Sequence, residues 1–108
     1  MVKKGTTPKW LPSTLNTIRT LTGLKKILFT QKATLEIATL ELGLDFEDVC
    51  EVLLALKPHD FHERIVSRIT QEWLYIFKPE LGGTIIYVKL LLRSECVVIS
   101  FHEDEDEI

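Results

Sequence analysis

The 108-residue sequence predicts an α+β domain, with three N-terminal helices on one face of a twisted antiparallel sheet of about four strands. Three observations carry that prediction. Apolar residues recur at helical spacing as far as Pro58. Beyond Pro58 the period falls to two, in runs rich in Ile, Val, Tyr, Phe and Trp. The later runs are separated by Leu81-Gly82-Gly83 and Arg93-Ser94-Glu95, which have the length and composition of hairpin connections.

The first helix starts at Pro12, with Ser13 and Thr14 behind it, and its apolar stripe is Leu11, Leu15, Ile18 and Leu21. Gly23 is its predicted end. Residues 25–29 form a short apolar piece of edge-strand length. Thr30 caps a second helix that contains Ala33, Leu35, Ile37, Ala38 and Leu42 and stops at Gly43. Asp45 caps the third helix, with Asp48 three positions on, and the stripe Phe46, Val49, Cys50, Leu53 and Leu54 faces the core. Strands follow at residues 61–69, 73–77, 84–92 and 96–102. In the third of these, Ile86, Val88, Leu90 and Leu92 face the helices, while Ile85, Tyr87, Lys89, Leu91 and Arg93 face the other way. In the fourth, simple alternation sets Val97, Ile99 and Phe101 on one face and Val98, Ser100 and His102 on the other. With helices on only one face, the second face is free for function.

Composition bounds the function. The length suits one domain, residues 1–102, followed by an acidic tail at 103–108. The net charge of −3 conceals a split. Five of the 16 acidic residues fall at 103–107, leaving 13 basic against 11 acidic residues elsewhere, a balance of +2. Such a tail is either a solvated chain end or a polyanion that competes with nucleic acid for a basic surface. Cys50 and Cys96 fit no zinc spacing and no disulfide framework, so buried thiols in a reducing setting are expected. The basic start Met1-Val2-Lys3-Lys4 leads into Gly-Thr-Thr-Pro rather than an apolar run. No stretch approaches the roughly 20 apolar residues of a membrane span. A cytoplasmic protein with no membrane partner is predicted.

Local motifs argue mostly by absence. There is no phosphate-binding glycine loop and no nucleophile elbow. His59, Asp60, His62 and Glu63 are the densest set of candidate metal ligands. On a strand His59 and His62 point to opposite faces, so a polar loop is preferred, and no metal or other cofactor is expected. Trp73, Tyr75 and Phe77 alternate and read as sheet core before base-stacking platform. Tyr87, Lys89 and Arg93 share a strand face and can meet a phosphate.

Several segments together resemble the MqsR-type toxins. Glu41-Leu42-Gly43-Leu44-Asp45-Phe46 is similar to a conserved stretch of that family, with Cys50 at the matching place. Asp60-Phe61, the Trp-to-Pro spacing of residues 73–79, Tyr87-Val88-Lys89 and Val98-Ile99-Ser100-Phe101 follow in the family's order, and Thr7-Pro8 matches more weakly. The resemblance covers about residues 41–102. It implies a RelE-like fold and an mRNA interferase: an endoribonuclease that cleaves single-stranded mRNA without a metal. It also implies a cognate antitoxin, encoded beside it, through which alone promoter DNA would be bound. The family's sheet tyrosine falls on Tyr87. One family lysine falls near Glu63 or Arg64, of which Arg64 is the chemically sensible replacement. Another falls on His102, and a family glutamine falls on Leu74.

RNA cleavage of this kind needs a group to take the 2′-hydroxyl proton, cations for the phosphorane charge and an acid for the 5′-oxygen. The expected catalytic set is therefore Tyr87, His102, Arg64 and Lys89, with Arg68, His62, Lys78 and Arg93 as RNA contacts. The alternative is a degenerate, non-catalytic toxin-like module that only binds an antitoxin, a reading that Leu74 favours.

Overall fold

The computed structural model describes residues 7–105. Helix α1 spans Leu11–Gly23, with Pro12 in its first turn, where a missing N–H breaks no helical hydrogen bond. Its stripe Leu11, Leu15 and Ile18 is buried. The left-handed residue at its exit is Lys25, at φ 63°, so Gly23 is an ordinary last helical residue. Strand β1 (Ile27–Phe29) leads into α2 (Gln31–Thr39), whose cap Thr30 accepts the Ala33 N–H at 3.0 Å. This helix stops at Thr39, short of Gly43, because Glu41 takes φ 61°. Helix α3 (Phe46–Leu54) begins in a reciprocal capping box, with Asp48 N–H on Asp45 at 2.8 Å and Asp45 N–H on Asp48 at 2.9 Å. Val49, Cys50 and Leu53 are buried, whereas Phe46 and Leu54, at the helix ends, are exposed.

A 3-10 turn at Pro58–Asp60 precedes β2 (Phe61–Val66). Next come β3 (Trp73–Phe77), the two-residue β4 (Glu80–Leu81), β5 (Thr84–Leu92) and β6 (Cys96–Glu103). β2 ends at Val66, earlier than the alternation predicts, because the Ser67 hydroxyl accepts the Ile69 and Thr70 N–H groups and turns the chain. The sheet order is β1-β6-β5-β3-β2, with β4 on the start of β5. Every pairing is antiparallel except β1 with β6.

The α+β class holds, with two corrections. Among the described residues the sheet has six strands, and β1 lies between the first two helices, so the helices are not one uninterrupted N-terminal block. A three-residue strand is too short to show a period. Its parallel partner lies almost 70 positions away, as in Ile27↔Cys96, where no local signal can point to it.

α1 and α3 pack on one sheet face, where Phe77, Ile86, Val88, Leu90, Val98 and Phe101 are fully buried. α2 does something else. Only Ala33 of it is buried, and Leu35 is 62% exposed. It closes the edge of β6 beyond the end of β1. Thr30 N–H donates to Val98 O at 3.1 Å, its hydroxyl to Ile99 O at 3.2 Å, and Phe101 N–H donates to Glu36 Oε1 at 2.9 Å. An edge that would otherwise present bare backbone groups is satisfied by helix side chains.

Alternation in β6 is broken once. Lys89 pairs with Ser100 and Leu90 with Val98, so Ile99 is the extra residue of a bulge. Cys96, Val98 and Phe101 all belong to the helix-side core, while Val97, Ser100 and His102 share the open face with their partners Leu91, Lys89 and Tyr87. The expected faces of Val97 and Val98 are thus exchanged, and those of Ser100, Phe101 and His102 are kept. Glu103 closes β6 and Asp104 N–H still bonds Ile85 O at 2.8 Å, while residues 106–108 lie outside the described part. No helix among the described residues is long and apolar enough to cross a membrane.

Candidate active site

The open face divides into an apolar and a polar half. Register places Leu28, Val97, Leu91, Leu74 and Ile65 in one row across five strands. The next open-face row is Ser100, Lys89, Ile76 and Glu63, and beyond it come His102 and Tyr87. The apolar row cannot supply hydrogen bonds, so the polar chemistry of this face is confined to the end where β5 starts and β6 finishes.

There the rings of Tyr87 and His102 stack, with centroids 4.9 Å apart and planes 13° from parallel. Lys89 Nζ lies 5.9 Å from the Tyr87 ring centre. His102 Nδ1 is 2.8 Å from the carbonyl of Glu103. A carbonyl only accepts, so this bond needs the proton on Nδ1, which leaves the Nε2 lone pair of the neutral ring for a base. Burial pushes the Tyr87 hydroxyl up, and the negative charge of Glu63 and Asp104 adds to that against Lys78. Tyr87 therefore holds its proton at neutral pH and can donate it. The two rings border an open depression of about 310 Å³, with His62, Glu63, Lys78, Asp104 and Glu105 around them.

The remaining predicted residues are distributed otherwise. Arg64 pairs across the sheet with Tyr75, on the helix side, and so does not join Tyr87. Its guanidinium lies between two indoles, 4.1 Å from the Trp10 ring centre and 3.7 Å from that of Trp73. The strand bulge between Phe61 and Glu63 is the cause: it turns Glu63, not Arg64, onto the open face. Arg93 forms a two-bonded ion pair with Glu72, at 2.7 and 2.9 Å, which ties the β5–β6 turn to the β2–β3 turn. That bond holds the Glu72 carboxyl down at about 2. Arg68 lies exposed in the β2–β3 turn, away from the depression. Lys78 is at the depression, but 3.4 Å from Asp104. His62 lines it too. His59 contacts Asp60 at 3.5 Å, and among the described residues no three His, Cys, Asp or Glu are grouped to hold a metal. Trp73, Tyr75 and Phe77 lie on the helix side, with Phe77 fully buried and Trp73 42% exposed. Cys50 and Cys96 are buried, and burial pushes the Cys96 thiol up to about 12, which removes it as a nucleophile.

Lys32 is the residue that strand alternation misses. It reaches from α2 to the Ser100 hydroxyl at 2.8 Å and pairs with Glu36 at 2.8 Å. Its only trace in the sequence is the Lys32–Glu36 spacing of four on one helix face.

Fold and site define a small α+β protein whose open-face polar groups gather at one end of the sheet face opposite α1 and α3. The family described as "Motility quorum-sensing regulator, toxin of MqsA" matches residues 12–103, and the chain belongs to that family. A curated relative, the mRNA interferase toxin MqsR of Escherichia coli (strain K12), is 30% identical over 64 residues. The matched stretch covers 58% of this chain and 65% of that relative.

Proposed function

We propose that this protein is the toxin of a type II toxin–antitoxin pair and an endoribonuclease that cuts single-stranded mRNA. The observation that carries the reading is the stacked Tyr87–His102 pair beside Lys89 on the open face. Family membership and the name of the E. coli relative support it. In the proposed reaction His102 Nε2 takes the 2′-hydroxyl proton, and the 2′-oxygen attacks the adjacent phosphorus. Lys89 stabilises the charge on the phosphorane oxygens. The P–O5′ bond breaks, and the leaving oxygen takes a proton from Tyr87 or from the protonated His102. The products are a 2′,3′-cyclic phosphate and a free 5′-hydroxyl. The partner is a cognate antitoxin, as the family's description supports.

One observation favours a binding-only module. Leu74 lies in the apolar row and Glu63, a carboxylate, sits on the open face where the resemblance implies polar or cationic groups. Incubation of the purified protein with single-stranded RNA in the presence of a chelator separates the two. Cyclic-phosphate ends that disappear in His102→Ala support the enzyme. Intact RNA from a folded parent protein supports the binding module.

A further inference from the structure

We propose that Lys32, held on the Ser100 hydroxyl beside Lys89, forms a subsite for a backbone phosphate of the RNA next to the one that is cut. The proposal deepens the ribonuclease reading and rests on it for the identity of the ligand.

The argument begins with where the cations went. Of the arginines and lysines expected at the site, Arg64 is stacked between indoles on the other face, Arg93 is bound to Glu72, Lys78 lies against Asp104, and Arg68 lies in the β2–β3 turn, away from the depression. Lys89 remains, and no carboxylate among the described residues makes an ion pair with it. Ser100 is its direct cross-strand partner, which puts their Cβ atoms about 5 Å apart. Lys32 arrives at the same place from α2, with its Nζ 2.8 Å from Ser100 Oγ. One ammonium group thus sits on the buried Ser100 hydroxyl, and the strand beside it carries a second lysine whose Nζ lies 5.9 Å from the Tyr87 ring centre.

Lys32 is held as well as charged. Glu36 Oε2 takes one of its three donors and Ser100 a second, and the third faces solvent from a side chain 60% exposed. Glu36 is itself anchored, because its other oxygen accepts the Phe101 N–H of the sheet edge. Burial pushes the Glu36 carboxyl up, but the bonds from Lys32 and Phe101 outweigh it and the group stays ionised. Glu36 offsets the charge of Lys32, and Lys89 leaves the cluster one positive charge in excess. Ser100 lies two residues before His102 on β6, about 7 Å along a strand. That distance is on the scale of one nucleotide step from the Tyr87–His102 pair, and it makes the neighbouring phosphate the fitting occupant.

The test is binding of a mixed-sequence, 2′-O-methylated single strand, which cannot be cut, measured by fluorescence anisotropy across a salt series. Each lost phosphate contact flattens the slope of log K against log salt by about 0.7 for a single strand. Lys32→Gln is expected to flatten it by that amount and to weaken binding by about tenfold at low salt. Lys32→Arg is expected to restore both, and Lys26→Gln, an exposed lysine before β1, to change neither. In cleavage, Lys32→Gln is expected to raise KM with kcat largely kept. An unchanged slope and affinity in Lys32→Gln overturns the subsite, even if the parent cuts RNA. A parent that binds with this lysine dependence but cuts nothing defeats the ribonuclease reading and leaves the subsite standing. A parent that does not bind the strand overturns both.

Discussion

Tyr87 and His102 are direct partners across the β5–β6 pairing, and their rings stack 4.9 Å apart at 13° on the face the helices leave open. The two side chains come from strands joined by a short turn at their other end, so the pairing register alone aligns them.

If the pair performs the chemistry, Tyr87→Phe and His102→Ala each lower single-turnover RNA cleavage by about 10²–10⁴-fold. Both positions are only partly covered, so the melting curves stay close to that of the parent. Parental rates in both variants would move the active site elsewhere.

Asp104 lies 3.4 Å from Lys78 at the edge of the depression. Asp104 and Glu105 of the acidic run therefore border the depression that holds Tyr87 and His102. Asp104→Asn is expected to tighten binding of single-stranded RNA at low salt. The gain should shrink as salt rises, because the Debye length is about 10 Å at 0.1 M and about 3 Å at 1 M. Equal affinity at low salt would make this carboxylate a bystander.

The Arg93–Glu72 pair makes stability depend on pH in the acid range. Hydrogen bonds from Arg93 and Thr70 hold Glu72 at about 2 in the folded protein, against an ordinary 4.5. The depressed folded value means that the unfolded chain binds the proton first. The contribution is therefore complete above 4.5 and is lost as pH falls towards about 2. Glu72→Gln should flatten the fall of melting temperature over that window. An unaltered acid limb would show that the pair is too well solvated to matter.

The bulge at Ile99 gives a sharp contrast between neighbours. Val98 is fully buried against the helices, whereas Val97 lies half-covered on the open face. Val98→Asp places an unpaired charge in the core and is expected to cost several kcal/mol, enough to unfold a domain of this size. Val97→Asp should melt near the parent temperature. The reverse result, read by circular dichroism, would mean that β6 alternates without a bulge.

The period of the apolar residues determined the three helices, the long strands and the helix-facing set Ile86, Val88 and Leu90, because burial selects for residues at the spacing of the element. The caps at Thr30 and Asp45 and the placing of Tyr87, Lys89 and His102 on one open face were legible in the same way. Tertiary structure alone decided what depended on partners distant in sequence. The piece at residues 25–29 already had edge-strand length, but its parallel pairing with β6 was not legible, and α2 is an edge cover rather than a core helix because β6 outruns β1. Two bulges, each one inserted residue, moved Arg64 off the site and Val98 into the core, and a side-chain period of two has no means of announcing where it will slip. Lys32 reaches Ser100 for the same reason. Its position beside Ser100 arises from packing across 68 positions of chain, which no spacing along the sequence encodes.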